Sequence, residues 1–386
     1  MKIAYCIPQL YCPGGMERVL TIKANYMTEH LGYEVHIILT DGKKRPFAYP
    51  LNPAIHIHQL DINFDQSGGQ PFQKKLFLYI KKRRLYKRRL EECLCALKPD
   101  ITVSMLRREI NFINDIPDGS VKIGEIHVNK LNFRDFANVK CPSFVRNAMK
   151  TVWMNKLIKE LKRLQVFVSL SEEDRERWTE LENVRVIYNP LPFVPVTRSE
   201  CRNKQVIAVG RYVEQKGFDR LIDAWKIVSE KHPDWVLKIY GDGYLRDALQ
   251  NQVNRLHLED SCRLEHTVSN IMEKYSESSL FVLTSRFEGF GMVLIEAMAC
   301  GIPCVSFTCP CGPRDIIRDG EDGFLIENED IPALAEKINY LIEHEDIRIQ
   351  MGKKALEHID RFRIENIALQ WKNLFEEVTG EKPLKE

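Results

Sequence analysis

The sequence predicts an α/β protein with two doubly wound parallel sheets, and three observations lead to that prediction. Short apolar runs such as Lys2–Ile7, Gln205–Gly210 and Leu280–Leu283 alternate along the chain with stretches of helical spacing. Strand, helix and strand at this separation form a parallel, Rossmann-like unit. The 386 residues are too many for a single compact core and suit two domains.

A polar, proline-containing stretch, residues 189–203, marks the boundary between the two predicted domains. It predicts an N-terminal Rossmann-like domain over residues 1–190 and a second over residues 204–363. The closing segment, residues 364–386, begins with helical spacing, and we expect its helix to pack back towards the N-terminal domain.

Composition excludes several functional classes. The formal net charge is only +2, so overall electrostatic attraction does not favour binding of nucleic acid. The N-terminus enters a strand pattern directly without a signal-peptide core, and no window approaches the roughly 18 apolar residues of a membrane span. The 11 cysteines are scattered and are typical of small buried apolar side chains in a reducing cytosol. Cys309 and Cys311 form a close pair, and without a second pair of metal-ligand spacing the sequence predicts no zinc site.

The stretch from Leu280 to Pro303 has the strongest chemical signal. The apolar run Leu280–Leu283 predicts a strand, a glycine-containing loop follows, and Met292–Ala299 suits a helix that Gly301 and Pro303 terminate. A strand, a glycine loop and a helix start together form an anion-binding cradle. Glu288 lies in the loop and Glu296 about one turn inside the helix. A carboxylate at Glu288 suits sugar hydroxyls, although a helix-start charge and a solvated carboxylate are the alternatives.

Arg211 and Lys216 are the leading candidates for binding phosphate. They follow the predicted strand Gln205–Gly210 and lie five residues apart across a turn. A guanidinium group can bind an anion through two hydrogen bonds, and an ammonium group acts as a point charge. Together they could offset the charge of a diphosphate, whereas either one alone could be an ordinary surface cation.

The N-terminal half carries weaker signals. Gly14 and Gly15 follow the first strand, and Asp41 ends the second, which invites a dinucleotide interpretation. The turn lacks the G-x-G-x-x-G spacing, so the sequence disfavours that interpretation. Gly14 and Gly15 would still let backbone approach a ligand, or they form a tight turn only. His127 follows a strand, where a single histidine is usually structural.

Residues 74–89 contain nine Lys or Arg and no acidic residue, interleaved with apolar side chains. As a helix this stretch is basic and amphipathic. Two interpretations are balanced: a solvated charged face, or a surface that docks on anionic lipid headgroups. Nucleic-acid binding is disfavoured because no recognised motif accompanies the stretch.

Three motifs resemble one enzyme family. Glu288–Pro303 resembles the E-x7-E signature of retaining glycosyltransferases of family 4, which use nucleotide sugars and have the GT-B fold. Val209–Phe218 resembles the same family's phosphate-binding turn, and Pro13–Arg18 its N-terminal glycine loop. The three occur in the family's order and span nearly the whole chain. The resemblance implies a GT-B fold, in which two Rossmann-like domains face each other across a cleft.

The resemblance also implies a reaction. A hexose or N-acetylhexosamine would move, with retained configuration, from a nucleotide sugar that we expect to be UDP-linked. Cys311–Asp315 resembles the T-G-P-x-E variant of a subgroup acting on bacterial surface glycans, with Cys for Thr and Asp for Glu. The expected acceptor is a lipid-linked or surface-polysaccharide glycan, bound by the N-terminal domain, while the second domain binds the nucleotide sugar. The expected location is cytoplasmic, with peripheral contact at the membrane through residues 74–89.

By resemblance, four residues carry the chemistry. Arg211 and Lys216 would stabilise the leaving diphosphate, and Glu288 and His127 would hold the transferred sugar, His127 as a hydrogen-bond donor. These fixed charges replace a metal in the family, and no strict D-x-D pair occurs in the chain. We therefore expect no metal and no cofactor beyond the donor substrate.

The remaining expected contacts to the nucleotide sugar are mostly from backbone. Glu296 would bind the ribose hydroxyls, and the strand at Leu264 would read the base. Gly14 and Gly15 would approach the diphosphate or sugar from the N-terminal side. The backbone beside Glu288 would complete the site at Gly289, Phe290 and Gly291.

Two other functions remain open at this point. One is a non-catalytic GT-B-like subunit that recruits a partner to the membrane, which would not bind sugar nucleotides. The other is a GT-B enzyme of a different kind, a sugar-nucleotide epimerase, which would convert its substrate without an acceptor.

Overall fold

The computed structural model describes residues 1–42, 45–67, 72–133 and 143–380. The chain divides into two compact units. Unit 1 comprises Met1–Leu170, Arg175–Pro190 and Ile364–Glu386, and unit 2 comprises Ser171–Asp174 and Leu191–Arg363.

Unit 1 contains a parallel sheet of seven strands within the described residues, in the order β3-β2-β1-β4-β5-β6-β7. The strands are β1 Lys2–Ile7, β2 Glu34–Leu39, β3 His56–Gln59, β4 Ile101–Ser104, β5 Val121–Glu125, β6 Val166–Ser169 and β7 Val184–Val186. The helices that accompany them are α1 Gly15–His30, α2 Phe72–Leu97, α3 Ser143–Leu161 and α4 Glu172–Arg177, which spans the boundary of the two units.

Unit 2 contains a six-stranded parallel sheet, in the order β10-β9-β8-β11-β12-β13. Its strands are β8 Gln205–Val209, β9 Val236–Tyr240, β10 Cys262–Glu265, β11 Leu280–Leu283, β12 Cys304–Phe307 and β13 Gly323–Ile326. Its helices are α5 Phe218–Lys231, α6 Arg246–Arg255, α7 Ile271–Ser276, α8 Met292–Ala299, α9 Pro313–Ile316, α10 Ile331–Glu343 and α11 Glu345–His358.

Each sheet reverses its strand order once, between β1 and β4 in unit 1 and between β8 and β11 in unit 2. Ligands of open parallel sheets bind beyond the carboxyl ends of the strands at such a reversal, because adjacent loops there diverge and leave a crevice. We call these two places the unit-1 and unit-2 switch points. The α/β prediction with two doubly wound sheets is confirmed.

The last helix, α12 Ile364–Thr379, belongs to unit 1. Its apolar stripe, which includes Ile367, Trp371 and Phe375, is buried in the same core as α1 and β1. The six residues after Gly380 lie outside the described part of the chain. This burial explains why the end of the chain groups with the strands at its beginning.

The structure contains a strand that the sequence did not predict. Strand β3 was not predicted, because His56 and His58 interrupt its apolar pattern at the edge of the sheet. The basic stretch 74–89 lies in α2, which is longer than the stretch itself; the side chains of residues 74–76 lie outside the described part. None of the described helices is both long and apolar enough to cross a bilayer.

Candidate functional site

The loops after β8 and β11 are joined by hydrogen bonds at the unit-2 switch point. The backbone N–H of Arg286 donates to the carbonyl of Gln215 (2.7 Å), and the Gln215 side chain donates to the carbonyl of Phe287 (3.0 Å). Thr284 Oγ1 donates to the carbonyl of Lys216 (3.2 Å). The two loops that carry the predicted binding residues therefore form one connected structure.

Gly217 allows this close approach. Its φ of 62° lies in the left-handed region, and a Cβ atom there would lie 2.2 Å from the carbonyl oxygen of Thr284. Only glycine combines this φ with this contact at little cost. The Gly217 position therefore explains why the motif needs glycine directly after Lys216.

Lys216 and Glu288 form an ion pair across the two loops. Lys216 Nζ lies 2.6 Å from Glu288 Oε1, and the same oxygen accepts a hydrogen bond from Ser285 Oγ at 2.6 Å. The side chains are 14% and 7% exposed, so the pair is largely shielded from water. The lysine stem packs against Gly210, where a Cβ would lie 3.2 Å from Lys216 Cγ. An ammonium group has three donors, so Lys216 can hold Glu288 and still bind an anion.

A second ion pair, Arg286–Asp219, was not predicted from the sequence. Arg286 binds both carboxylate oxygens of Asp219, at 2.9 and 2.7 Å, and also donates to the carbonyl of Glu214 at 2.7 Å. Burial raises the pKa of Asp219, but the hydrogen bonds and charge of Arg286, together with a backbone hydrogen bond and the charge of Arg220, outweigh burial and lower that pKa. This pair ties the loop after β11 to the first turn of α5, beside Lys216. The sequence signal was the position of Arg286 two residues before Glu288.

Arg211 lies in the same turn, but its side chain is exposed. Within the described residues its guanidinium group forms no ion pair, so the structure brings Lys216 and Glu288 together but not Arg211. The turn itself is tightly packed, since a Cβ at Gly241 would lie 1.8 Å from the carbonyl oxygen of Gly210. Arg211 thus offers an exposed cation on a tightly packed backbone.

The segment from Glu288 to Gly291 leads directly into α8. Gly291 has a φ of 94° and no side chain caps the helix, so its first N–H groups are available to an anion. The Phe290 ring is buried edge-to-face against Phe362, at 5.7 Å between centroids. Phe290 and Gly289 can therefore contribute backbone groups to a ligand, while the Phe290 ring anchors the loop.

Glu296 is buried on α8, where its Oε2 accepts a hydrogen bond from Tyr275 Oη at 3.0 Å. Burial raises the pKa of Tyr275 well above its ordinary value, and Glu296 raises it further. Tyr275 therefore stays protonated and keeps donating to Glu296. Sequence reasoning missed Tyr275, because no motif connects α7 with α8.

The backbone at Leu264 is also engaged. Its carbonyl accepts a hydrogen bond from Arg246 at 2.8 Å, and the next carbonyl, of Glu265, accepts one from Tyr212 Oη at 2.6 Å. These two side chains fix the end of β10, the strand expected to read the base. Arg246 and Tyr212 are a second pair of supporting residues that no sequence motif indicated.

His127 in unit 1 belongs to a buried chain of charged groups. Its Nε2 lies 3.1 Å from Glu125 Oε1, and Lys23 Nζ lies 2.5 and 2.6 Å from the two Glu125 oxygens. Lys23 and Glu125 are each 1% exposed, and the ammonium group lies 4.2 Å from the centre of the Trp371 ring. Sequence reasoning missed Lys23 and Glu125, which are 102 residues apart.

The protonation of this chain follows from its surroundings. Burial raises the pKa of Glu125, but Lys23 and His127 outweigh it and lower that pKa to about 2. Burial also lowers the pKa of His127, more than Glu125 raises it. At neutral pH a neutral imidazole therefore donates its Nε2–H to a carboxylate, which leaves Nδ1 as an acceptor.

Gly14 and Gly15 precede and begin α1. A Cβ at Gly14 would lie 2.2 Å from Glu17 Oε2, whereas Gly15 has open space around it. Glu17 Oε1 accepts a hydrogen bond from Gln9 at 2.5 Å. The glycine turn thus makes room for a buried carboxylate, a feature the sequence did not indicate. Asp41, considered above for a dinucleotide, is buried and accepts the backbone N–H of Phe64 at 2.5 Å.

No group of three or more His, Cys, Asp or Glu side chains suited to a metal ion is found among the described residues. Cys309 and Cys311 are buried thiols. Burial raises the pKa of Cys309, and the nearby Glu288 raises it further. The Cys309 thiol therefore stays protonated near the Lys216–Glu288 pair.

Comparison with known proteins identifies the family. The family model "Glycosyl transferases group 1" matches residues 195–358, which include the unit-2 switch point. The amylovoran biosynthesis glycosyltransferase AmsD of Erwinia amylovora is 30% identical over 278 residues, covering 68% of this chain and 78% of AmsD. The chain belongs to the group 1 glycosyltransferases.

Other similarities extend over nearly the whole of this glycosyltransferase. An uncharacterized glycosyltransferase of Haemophilus influenzae is 29% identical over 378 residues, covering 97% of this chain and 99% of that protein. A crystal structure of a mutant of S. aureus TarM, in complex with fondaparinux, α-GlcNAc-glycerol and UDP, superposes with a TM-score of 0.76 at 19% identity. The superposition covers 97% of this chain and 99% of the TarM chain. The GT-B prediction and the assignment as a transferase enzyme are confirmed.

Proposed function

We propose that this glycosyltransferase moves a hexose or N-acetylhexosamine from a UDP-sugar to a lipid-linked or surface-polysaccharide glycan, with retention of configuration. The observation that carries the proposal is the shielded Lys216–Glu288 pair at the unit-2 switch point, next to the uncapped start of α8. This arrangement places three kinds of group side by side: a positive charge, a carboxylate that can accept hydrogen bonds from sugar hydroxyls, and N–H groups at the helix start. A sugar diphosphate requires all three.

Departure of the diphosphate is the step that these groups assist. As the glycosidic bond breaks, negative charge grows on the diphosphate oxygens, and fixed donors that already point at them lower the barrier. Lys216 supplies the shielded cation, the α8 start supplies N–H groups, and Arg211 closes on the diphosphate from its exposed position. These charges do the work that a divalent metal would otherwise do, so the proposal includes no metal or other cofactor.

The sugar and nucleoside are held by the groups around this centre. Glu288 accepts hydrogen bonds from the sugar hydroxyls, and Glu296, oriented by Tyr275, accepts from the ribose. Backbone at Gly289 and at Leu264 completes the contacts. Unit 2 thus serves as the nucleotide-sugar domain. The roles expected for His127, Gly14 and Gly15 in unit 1 stay predictions, except that the protonation of His127 favours accepting, not donating, through its second ring nitrogen.

The acceptor proposal draws on the similarities and on α2. AmsD is named for amylovoran biosynthesis, and TarM was crystallised with UDP and α-GlcNAc-glycerol. On α2, Phe77 is 68% exposed and Ile80 44% exposed, among the basic residues that follow them. Exposed apolar side chains next to Lys and Arg suit a surface of anionic lipid headgroups. A lipid-linked glycan presented there would reach the enzyme from the membrane.

The experiment that tests the function is UDP release with a panel of UDP-sugars, with and without glycan acceptors. The product's anomeric configuration, measured by NMR, tests retention. Lys216→Ala and Glu288→Ala are expected to abolish most turnover. Lys226→Ala, at a partly exposed position of α5, is the matched control and is expected to keep it. Unchanged turnover in both site variants would contradict the proposal.

Two outcomes would contradict parts of the proposal. If calorimetry shows no binding of UDP or UDP-sugars by the intact protein, the proposed UDP-linked donor is wrong. If a UDP-sugar is converted to its epimer without any acceptor, the proposed transfer to a glycan is contradicted.

A further inference from the structure

Unit 1 has a cavity of about 480 Å³ at its own switch point. It opens beyond the carboxyl ends of β1 and β4, where it is lined by Gln9, Glu17 and Arg107, and α3 closes one side with Trp153 and Lys156. Cavities of this size accommodate small ligands of the order of one or two sugar rings. No role described above uses it.

Three cations line the cavity: Arg107, Arg108 and Lys156. None of them forms an ion pair with a carboxylate in the described part of the chain. The Arg107 side chain is exposed, and its guanidinium group lies 3.7 Å from the sulfur of Met16. The Arg108 guanidinium lies over the Phe64 ring, 4.2 Å from its centre, which leaves its edge free to donate hydrogen bonds.

The two carboxylates of the cavity offset little of this charge. Glu160 forms an ion pair with Arg163 at 2.9 Å, so its charge is already compensated from outside the cavity. Burial raises the pKa of Glu17 more than the nearby Arg107 lowers it, and its Oε1 accepts a hydrogen bond from Gln9. The cavity therefore presents an excess of positive charge to whatever enters it.

Aromatic rings form the apolar part of the lining. Phe133 and Trp153 pack together with their centres 5.5 Å apart, and Tyr79 of α2 lies on the same cavity. Such surfaces suit the C–H face of a pyranose ring, and the adjacent cations suit an anionic substituent on that ring. A neutral sugar alone would leave the three cations without a counter-charge.

We propose that this cavity binds an anionic group, phosphoryl or carboxylate, carried by the acceptor saccharide. The proposal rests on the proposed function, because it assigns the chemistry of the acceptor in the same reaction. Arg107, Arg108 and Lys156 receive the anion, and the ring lies against Trp153. The enzyme thereby selects charged over neutral acceptors.

The test compares three matched probes: methyl α-D-glucopyranoside, its 6-phosphate and methyl α-D-glucuronopyranoside. Binding is measured by ligand-observed NMR on the full chain, with and without UDP so that occupancy of the nucleotide site is controlled. We expect at least one charged probe to bind about tenfold or more tightly than the neutral probe, as expected for charge-assisted hydrogen bonds. The order of the two charged probes distinguishes phosphoryl from carboxylate.

Variants of the cavity residues test whether the preference for charged probes arises in this cavity. Arg107→Gln and Lys156→Gln should each reduce the preference for charged probes, while Lys159→Gln, on the same helix α3 but outside the cavity, should keep it. All three positions are exposed, so the variants should melt at the wild-type temperature. Equal binding of charged and neutral probes, or an equal loss in Lys159→Gln, would overturn the proposal.

The result is separable from that of the proposed function. UDP affinity of the same samples reports on the nucleotide site. Normal UDP binding without a preference for charged probes overturns the acceptor proposal and leaves the transferase proposal standing. Absent UDP binding with a clear preference for charged probes does the reverse: it contradicts the transferase proposal and supports an anion site in this cavity.

Discussion

The two switch points differ in how their charges are used. In unit 2, Lys216 and Arg286 are already paired with Glu288 and Asp219, and hydrogen bonds join the two loops. In unit 1 the cations around the cavity form no ion pair with a carboxylate among the described residues. Paired charges hold a site in one geometry before the ligand arrives, which suits charge stabilisation in a transition state. Cations that form no ion pair can instead be neutralised by a ligand of opposite charge.

Unit 1 nevertheless has a buried ion pair of its own. The Lys23–Glu125–His127 chain is buried, and Trp371 of α12 lies over the lysine ammonium group. The contrast is therefore between unit 2, where the proposed binding groups are themselves ion-paired, and unit 1, where the ion-paired groups are buried and the cavity cations form no ion pair among the described residues. Four experiments test that contrast, beginning with the largest expected effect.

Lys23→Met should be the most damaging change to stability. It leaves the Glu125 carboxylate buried without its ammonium partner, and such losses cost about 3–5 kcal/mol. The measurement is urea unfolding followed by circular dichroism. The double variant Lys23→Met/Glu125→Gln should recover part of the loss, and Lys354→Ala, which breaks an exposed pair with Glu357, should have no measurable effect. A loss no larger than that of Lys354→Ala would show that the buried pair contributes no more to stability than an exposed pair.

Lys216→Ala should lower the catalytic rate. Removing a fixed positive charge from the leaving group is expected to reduce kcat by about 10²- to 10³-fold, as for other preorganised donors. Steady-state UDP release measures it, and Lys226→Ala serves as the control. A rise in KM with unchanged kcat would show instead that Lys216 contributes only ground-state binding.

Gly217→Ala should destabilise unit 2 by about 1–3 kcal/mol, because it combines a left-handed φ with a clash at the Thr284 carbonyl. Gly320→Ala separates the two causes, since Gly320 also has a positive φ, 77°, but nothing within 4 Å of the added Cβ. The free energy of unfolding of both variants is measured with urea. The difference between their two losses gives the cost of the clash. Equal losses would mean that the two loops are not held as tightly as their hydrogen bonds indicate.

The smallest effect concerns pH. The folded-state pKa values of Glu125 and His127 both lie below their ordinary values, so the unfolded chain binds more protons as pH falls. The stability from His127 is present above about pH 6.5 and is lost as pH falls through its lowered pKa. The stability from Glu125 is present above about pH 4.5 and is lost as pH approaches 2. His127→Gln should therefore flatten the stability profile between about pH 7 and 5, measured by urea midpoints. An unchanged slope would contradict the assignment of a buried neutral imidazole.

Local features were predictable because they depend on residues close together in sequence. The helix Met292–Ala299 was predicted with the bounds that the structure shows, since apolar residues define it and Gly301 and Pro303 end it. Lys216 and Glu288 were identified from their motifs. Strand β3 was not, because an edge strand tolerates polar residues such as His56 and His58 and so loses its apolar signal.

The sequence by itself determined the alternation of strands and helices, the turns that need glycine and the family of the enzyme. Only the tertiary structure decided which charges meet: Lys216 with Glu288 across 72 residues, and Lys23 with Glu125 across 102. It also decided that Arg107, Arg108 and Lys156 form no ion pair with a carboxylate in the described part of the chain. The physical reason is that helix and strand periodicity is set by neighbouring residues, whereas an ion pair depends on sheet order and loop approach. Those are properties of the folded sheet, and no short stretch of sequence contains them.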